Sequence, residues 1–441
     1  MTPAWVFWLM AFIGASGGLA LLAAPRSPWP LLAVLGVLFA CLSTRGRTTL
    51  RFGIALALLL VVIPAAGVQN TFLFELVTQM GMFAAMALGL NIVVGMAGLL
   101  DLGYAAFFAI GAYTWAIFGS GQAAEFMSGT FPLPGWPYFY LFSALAIITA
   151  ALTGTLIGLP ALRLRGDYLA IVTLGLGQTV RVLANNLDQP VNITNGPQGI
   201  TPVERPPIGA LLWLLRLLGL EDNPALGYAV FFYLLVLVVI GVVVLINVRL
   251  DHSRFGRAWV AIREDEIAAR ASGISLTRTK LQAFATGAAF SGVMGAIFSA
   301  KQLFVSPESF TLLQSITILA MVILGGMGSI RGAIVGAMAV TLLNIEVLKS
   351  FSDFLVHLRQ TGFVLDLGFT SFNFAHLSDQ VEPAKYERMI FGIILVLMMI
   401  FRPSGLIPES RHRLEEGRKG EDGIPSSNSQ LPTPNSRMPT P

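Results

Sequence analysis

The chain has 441 residues, of which 55% are apolar and only 12% charged, and its mean hydropathy is +0.73. Soluble chains carry about twice that share of charge, so the composition excludes a soluble globular protein. The formal net charge of +4 does not point to nucleic acid, because the arginines cluster beside apolar runs, where they orient membrane segments.

The first segment, MTPAWVFWLMAFIGASGGLALLAA, lacks a basic start and its apolar run exceeds a signal-peptide core, so it reads as a retained span. Nearly uncharged runs fall at about 5–24, 29–44, 52–74, 76–100, 102–120, 136–160, 168–187, 225–248, 279–300, 311–330, 332–348 and 386–401. They predict an all-α integral membrane protein, a polytopic helical bundle of about 11–12 membrane segments with Gly-rich interrupted helices. The one cysteine, Cys41, lies inside such a run, where it cannot form an internal disulfide and reads as buried filler.

Basic residues select one orientation. Arg45, Arg47 and Arg51, then Arg163 and Arg165, the 249–280 stretch, Arg331 and Arg402 each follow an even number of crossings. Both termini are therefore predicted cytoplasmic. The opposite loops, 120–136, 188–224 and 349–385, are richer in Pro, Asn, Gly and aromatics; IGALLWLLRLLGL at 208–220 within them is too short to span and reads as interfacial. We divide the chain into N-terminal extra spans (1–74), a core (75–408) and a charged, then Ser/Pro/Asn-rich tail (409–441) predicted to be disordered and cytoplasmic.

Within the core, GLNIVVGMAGLLDLGYAAFFAIGAY at 89–113 and MVILGGMGSIRGAIVGAMAV at 321–340 share a plan of apolar run, glycine-dense break and apolar run. Such pairs suggest an internal repeat with a pathway between the halves, although glycines also simply let helices pack closely. Asp101, in the first break, reads either as a cap for the helix beginning near Tyr104 or as a group that meets substrate or gates the inner side. The turn RLRGD, with Arg163, Arg165 and Asp167, reads foremost as an orientation signal.

The run 168–187 carries the most polar face of any span, with Thr173, Gly177, Gln178, Arg181 and Asn185 on successive turns. Two readings stand side by side. The face lines the outer end of a path, Arg181 meeting a carboxylate, or Arg181 snorkels while the amides join helices.

Between two spans lies SRFGRAWVAIREDEIAARASGI, read as one short amphipathic helix from Phe255 to Gly273. Trp259, Ile262 and Ile267 give its apolar side; Arg263, Glu264, Asp265, Glu266 and Arg270 are too densely charged to enter lipid, and Gly273 is placed to stop it in a left-handed conformation. By the basic-loop rule this helix is cytoplasmic, and taken alone it is a solvated loop helix.

Its ending, Ala268-Ala269-x-x-x-Gly273, resembles the cytoplasmic coupling loop of ABC importer permeases, except that Ile267 separates Glu266 from the alanines. The resemblance extends through GMAGLLDLGYAAFFAIGAYT (95–114), LRLRGDYLAIVTLGLGQTVRVLANN (162–186), NGPQGI (195–200), ILGGMGSIRGAIVGA (323–337) and FRPSGLIP (401–408). Together these blocks are similar to the branched-chain amino acid ABC transporter permease family, LivM type. In the first block the family often has Ser and His where this chain has Asp101 and Tyr104.

The resemblance implies a multi-pass permease subunit of the bacterial inner membrane. Its implied partners are a second, related permease, two cytoplasmic P-loop ATPase subunits, an extracytoplasmic substrate-binding protein and membrane lipid. It implies an ATPase-coupling role for the charged helix, for which Arg263, Glu264, Asp265, Glu266, Arg270 and Gly273 are the candidates; for the translocation path the residues themselves offer Asp101, Tyr104, Thr173, Gln178, Arg181 and Asn185. The cargo it implies is a branched-chain or related hydrophobic amino acid, with urea, short amides and other amino acids as alternatives.

No G-x-x-x-x-G-K-[ST] occurs, so ATP is expected to be used by partner subunits and no cofactor to be held by this chain. His252, His357, His376 and His412 form no H-x-x-x-H pair and lie outside the spans, so we expect neither a metal site nor a catalytic residue. An ion-coupled secondary transporter is the remaining alternative, and Asp101 is the main mid-span ionisable group it would have.

Overall fold

A computed structural model describes residues 12–18, 20–21, 28–43, 48–129, 131–133, 136–161, 167–217, 223–350, 352–353, 364–366, 371–373, 387–402 and 404–407. Arg163, Arg165 and the tail 409–441 lie outside the described residues. The chain is an all-α polytopic bundle, to which Val364–Asp366 and Ser371–Asn373 add one short antiparallel strand pair in the loop 349–385.

Six helices among the described residues are long and apolar enough to cross a membrane: Thr71–Met96, Pro137–Leu159, Pro224–Asp251, Leu276–Gln302, Pro307–Gly325 and Ile330–Ser350. The spans Thr71–Met96 and Leu276–Gln302 are each 78% buried in their most apolar window, whereas Pro137–Leu159 and Pro224–Asp251 are only 22% buried there. The first two therefore form the centre, and the other two leave most of their surface outside the bundle.

Two expected spans differ from the runs that suggested them. Helix closes at Gln69 and restarts at Thr71, because Asn70 leaves the helical region (φ −139°, ψ 97°) and its side chain caps the Phe72 N–H. The run 102–120 yields only Ala105–Phe118, fourteen residues or about 21 Å, too short for a core of roughly 30 Å. It is a half-helix. Its start lies beside the middle of the Leu276–Gln302 helix, where the Tyr104 hydroxyl donates to the Gly287 carbonyl at 2.9 Å.

Small residues make this packing work. A Cβ on Gly111 would stand 2.0 Å from the Gly292 carbonyl oxygen, and one on Gly295 would stand 2.2 Å from that of Phe108. Backbone thus meets backbone, as glycine permits inside a membrane. Gly111→Ala is expected to lower the Tm of the detergent-solubilised chain, through overpacking that costs about 1–3 kcal/mol. An unchanged melting curve would mean that the helices are further apart than described.

Candidate functional site

The two glycine-dense breaks and the charged stretch, far apart in sequence, meet at one end of the bundle. The Thr71–Leu90 helix continues as a π-helical turn, Asn91–Met96, before the chain unwinds. Asn91 is fully buried, and its carbonyl oxygen Oδ1 accepts the Gly328 N–H at 2.8 Å across 237 residues. Gly328 sits in the second break, between Leu312–Gly325 and Ile330–Leu342, where Gly326 (φ 118°) and Gly328 (φ 79°) adopt conformations that L side chains avoid. One amide therefore ties the two breaks together.

The chain near the C-terminus joins the same place. The Leu406 and Ile407 N–H groups donate at 2.9 Å to the Leu324 and Gly325 carbonyls, which the end of the Leu312–Gly325 helix leaves without intrahelical partners.

The charged stretch is two helices rather than one, Arg254–Glu264 and Glu266–Ala271. Asp265 (φ −155°, ψ 112°) interrupts them, because its side chain accepts the Ile267 and Ala268 N–H groups at 2.7 and 3.1 Å and so starts the second helix. Gly273 (φ 83°) ends the pair in the left-handed region, where glycine was expected to stop it.

The inner face of the pair is fixed to the bundle. Ser253 caps the first helix, Trp259 is buried and its indole N–H donates to the Thr279 carbonyl at 2.9 Å, and Ile262 is buried beside it. The Arg263 guanidinium donates to the Gly95 carbonyl, at the end of the π-helical turn, and its chain packs on Gly98. A cation there also meets the negative end of the helix dipole.

Ile267 departs from expectation. The sequence placed it with Trp259 and Ile262, but it is 74% exposed, because the break at Asp265 rotates the second helix away from the first. Phe255 is 49% exposed, and Glu264 and Arg270 are exposed as well. The pair thus exposes both apolar and charged side chains.

Glu266 faces inward instead and pairs with Lys280, whose side chain is 5% exposed. Removing one member of such a pair leaves the other buried and uncompensated. Lys280→Met is expected to cost about 2 kcal/mol in stability, and adding Glu266→Gln to recover much of it. Equal melting temperatures for the wild type and Lys280→Met would contradict this.

The first break holds Asp101, which is 1% exposed. Its Oδ1 accepts the Gly103 N–H at 2.8 Å, while the Thr173 hydroxyl oxygen accepts the Leu102 N–H at 3.1 Å. Asp101 therefore shapes the turn rather than capping the following helix, whose Ala105 N–H is taken by the Ser315 hydroxyl at 2.9 Å. Its second oxygen, Oδ2, is buried without a hydrogen-bond partner among the described residues.

Of the polar face on Asp167–Asn186, only Thr173 is brought to Asp101. Tyr104 is fully buried against Gly89 and Gly287. Gln178 and Asn185 are half-buried further along the helix, and Arg181 donates to both carboxylate oxygens of Glu308 at 2.6 and 2.5 Å.

Asn91, Ser315, Lys280 and Glu308 were not read as site residues. A lone Asn in GLNIVVG and a Lys at the head of a span were the available signals, since polar groups in spans are costly unless partnered.

The family model described as branched-chain amino acid transport system / permease component matches residues 72–399. The chain is 34% identical over 426 residues to the high-affinity branched-chain amino acid transport system permease protein LivM of Salmonella typhimurium, covering 94% of this chain and 88% of that protein. It is 35% identical over 424 residues to the protein of that name in Escherichia coli, covering 93% and 88%. A probable branched-chain amino acid transport permease protein LivM of Methanocaldococcus jannaschii is 26% identical over 353 residues, covering 75% and 91%. No solved structure matches the chain.

Proposed function

Because the chain belongs to the branched-chain amino acid transport system permease family, we propose that it forms the membrane path of an importer driven by separate ATPase subunits through the helices Arg254–Glu264 and Glu266–Ala271. It is a multi-pass ABC transporter permease for branched-chain amino acids. The finer reading adds a second permease, two cytoplasmic P-loop ATPases and an extracytoplasmic binding protein, with this chain in the bacterial inner membrane and both termini cytoplasmic.

One observation carries the coupling role. The helix pair exposes Phe255 and Ile267 together with the charged Glu264 and Arg270, while Arg263 grips the break that Asn91 joins to the second break. ATP-driven closure of docked ATPases would push on Ile267, Phe255, the charged Glu264 and Arg270, and the Gly273 turn that ends the pair. Arg263 would pass that displacement to Gly95, and the Asn91–Gly328 bond to the opposite hairpin.

Glycines at both breaks give the backbone the freedom to rock between outward and inward states. Asp101 and Thr173 lie where the first break would open, and the unpartnered Asp101 oxygen suits the ammonium of a zwitterionic amino acid. Gln178 and Asn185 continue that polar face toward the outer end, and Arg181 is held there by Glu308.

The test is to tag the chain, extract it in mild detergent and identify what accompanies it. Two P-loop ATPases and a second permease are the expected result. Recovery of the chain alone, moving substrate on reconstitution without ATP, would overturn the proposal in favour of a secondary transporter.

A further inference from the structure

A groove of about 790 Å³ lies between the N-terminal helices and the core. One wall is a stripe of the Pro224–Asp251 helix that recurs every three or four residues from Tyr233 to Arg249, with His252 just beyond its end. Leu56, Met80 and Met338 stand on the other walls. The stripe is apolar until its last turn, where Arg249 and His252 are exposed and pair with no carboxylate among the described residues. The Arg257 guanidinium, donating to the His252 carbonyl at 3.0 Å, adds a second cation at that mouth.

We infer that this groove binds one acyl chain of an anionic phospholipid, whose phosphate sits on Arg249 and Arg257. From Tyr233 to Arg249 the wall is about 24 Å long at 1.5 Å per residue, enough to hold a chain that crosses one leaflet of a core of roughly 30 Å. Cations at the leaflet surface match an anionic headgroup, and the walls beneath match a hydrocarbon tail. Gly241 leaves a notch midway along the stripe: nothing lies within 4 Å of where its Cβ would stand. A Cβ there is unobstructed, so a large side chain can be introduced at this lining position. The lipid would join residues 28–69 to the core along a seam where side chains leave a gap.

The full-length protein in detergent tests this by its Tm with added dioleoyl phosphatidylglycerol or dioleoyl phosphatidylcholine. The expected wild-type shift with phosphatidylglycerol is at least twice that with phosphatidylcholine. Arg249→Gln should bring the two shifts together, and Gly241→Trp should remove both without lowering the starting Tm. A photo-crosslinking residue at Leu245 should yield a phospholipid adduct. Equal wild-type shifts, variants that respond as the wild type does, or an adduct to another polypeptide would each overturn the inference.

Discussion

Ile267→Glu is expected to abolish ATP-driven transport and the recovery of ATPase subunits with the chain, while leaving the chain itself intact. Ile267 is 74% exposed, so the substitution removes little internal packing. An exposed change of this kind stays within about 0.5 kcal/mol in stability. At the centre of a docking surface, however, an apolar anchor is worth about 2 kcal/mol or more, and a buried carboxylate in its place adds a desolvation penalty. A loss of at least about 30-fold in ATPase affinity should therefore accompany a melting curve that barely moves. Full transport by Ile267→Glu would show that the ATPase docks elsewhere.

Arg263→Ala is expected to separate docking from movement. The ATPases should still be recovered, because Phe255, Ile267 and Arg270 keep their places, but transport per ATP hydrolysed should fall. Arg263 links the cytoplasmic helix to the Gly95 carbonyl, and hydrogen bonds to charged groups are worth about 1.5–3 kcal/mol. At 1.4 kcal/mol per factor of ten, coupling should drop about 10- to 100-fold. Uptake and ATP hydrolysis measured on the same proteoliposomes give the ratio. Wild-type stoichiometry in Arg263→Ala would rule out the Gly95 contact as the transmission point.

Much of the architecture was legible because the membrane imposes it. Uncharged runs of span length, glycine-dense interruptions and a charged segment between spans mark a helical membrane bundle, and six of those runs fold as span-length helices among the described residues. What was not legible depends on contacts between distant parts of the chain. Asn91 meets Gly328 across 237 residues and Arg263 meets Gly95 across 168, and no local periodicity encodes either. The length of the half-helix Ala105–Phe118 was hidden for a related reason. The loop before it is as apolar as a helix, so hydropathy could not mark where the backbone turns back into the bundle.

The charged helix misled in a different way. Its pattern fits one continuous amphipathic helix, and only the capping preference of Asp265, realised by its bonds to Ile267 and Ala268, moves Ile267 from the inner side to the outer. Arg181 likewise looked available for a substrate carboxylate until Glu308 was brought to it across 127 residues. That pair is half open to water, so its contribution to stability is at most about 1 kcal/mol, and its effect is to fix where the guanidinium lies.

The most direct measurement is uptake of radiolabelled leucine into proteoliposomes holding the complex recovered with this chain. ATP and the binding protein are supplied or withheld, and proton and sodium gradients are imposed separately. Uptake is expected to require ATP and the binding protein and to be indifferent to either ion gradient. Uptake by this chain alone on an ion gradient, with ATP making no difference, would contradict ATP-driven import.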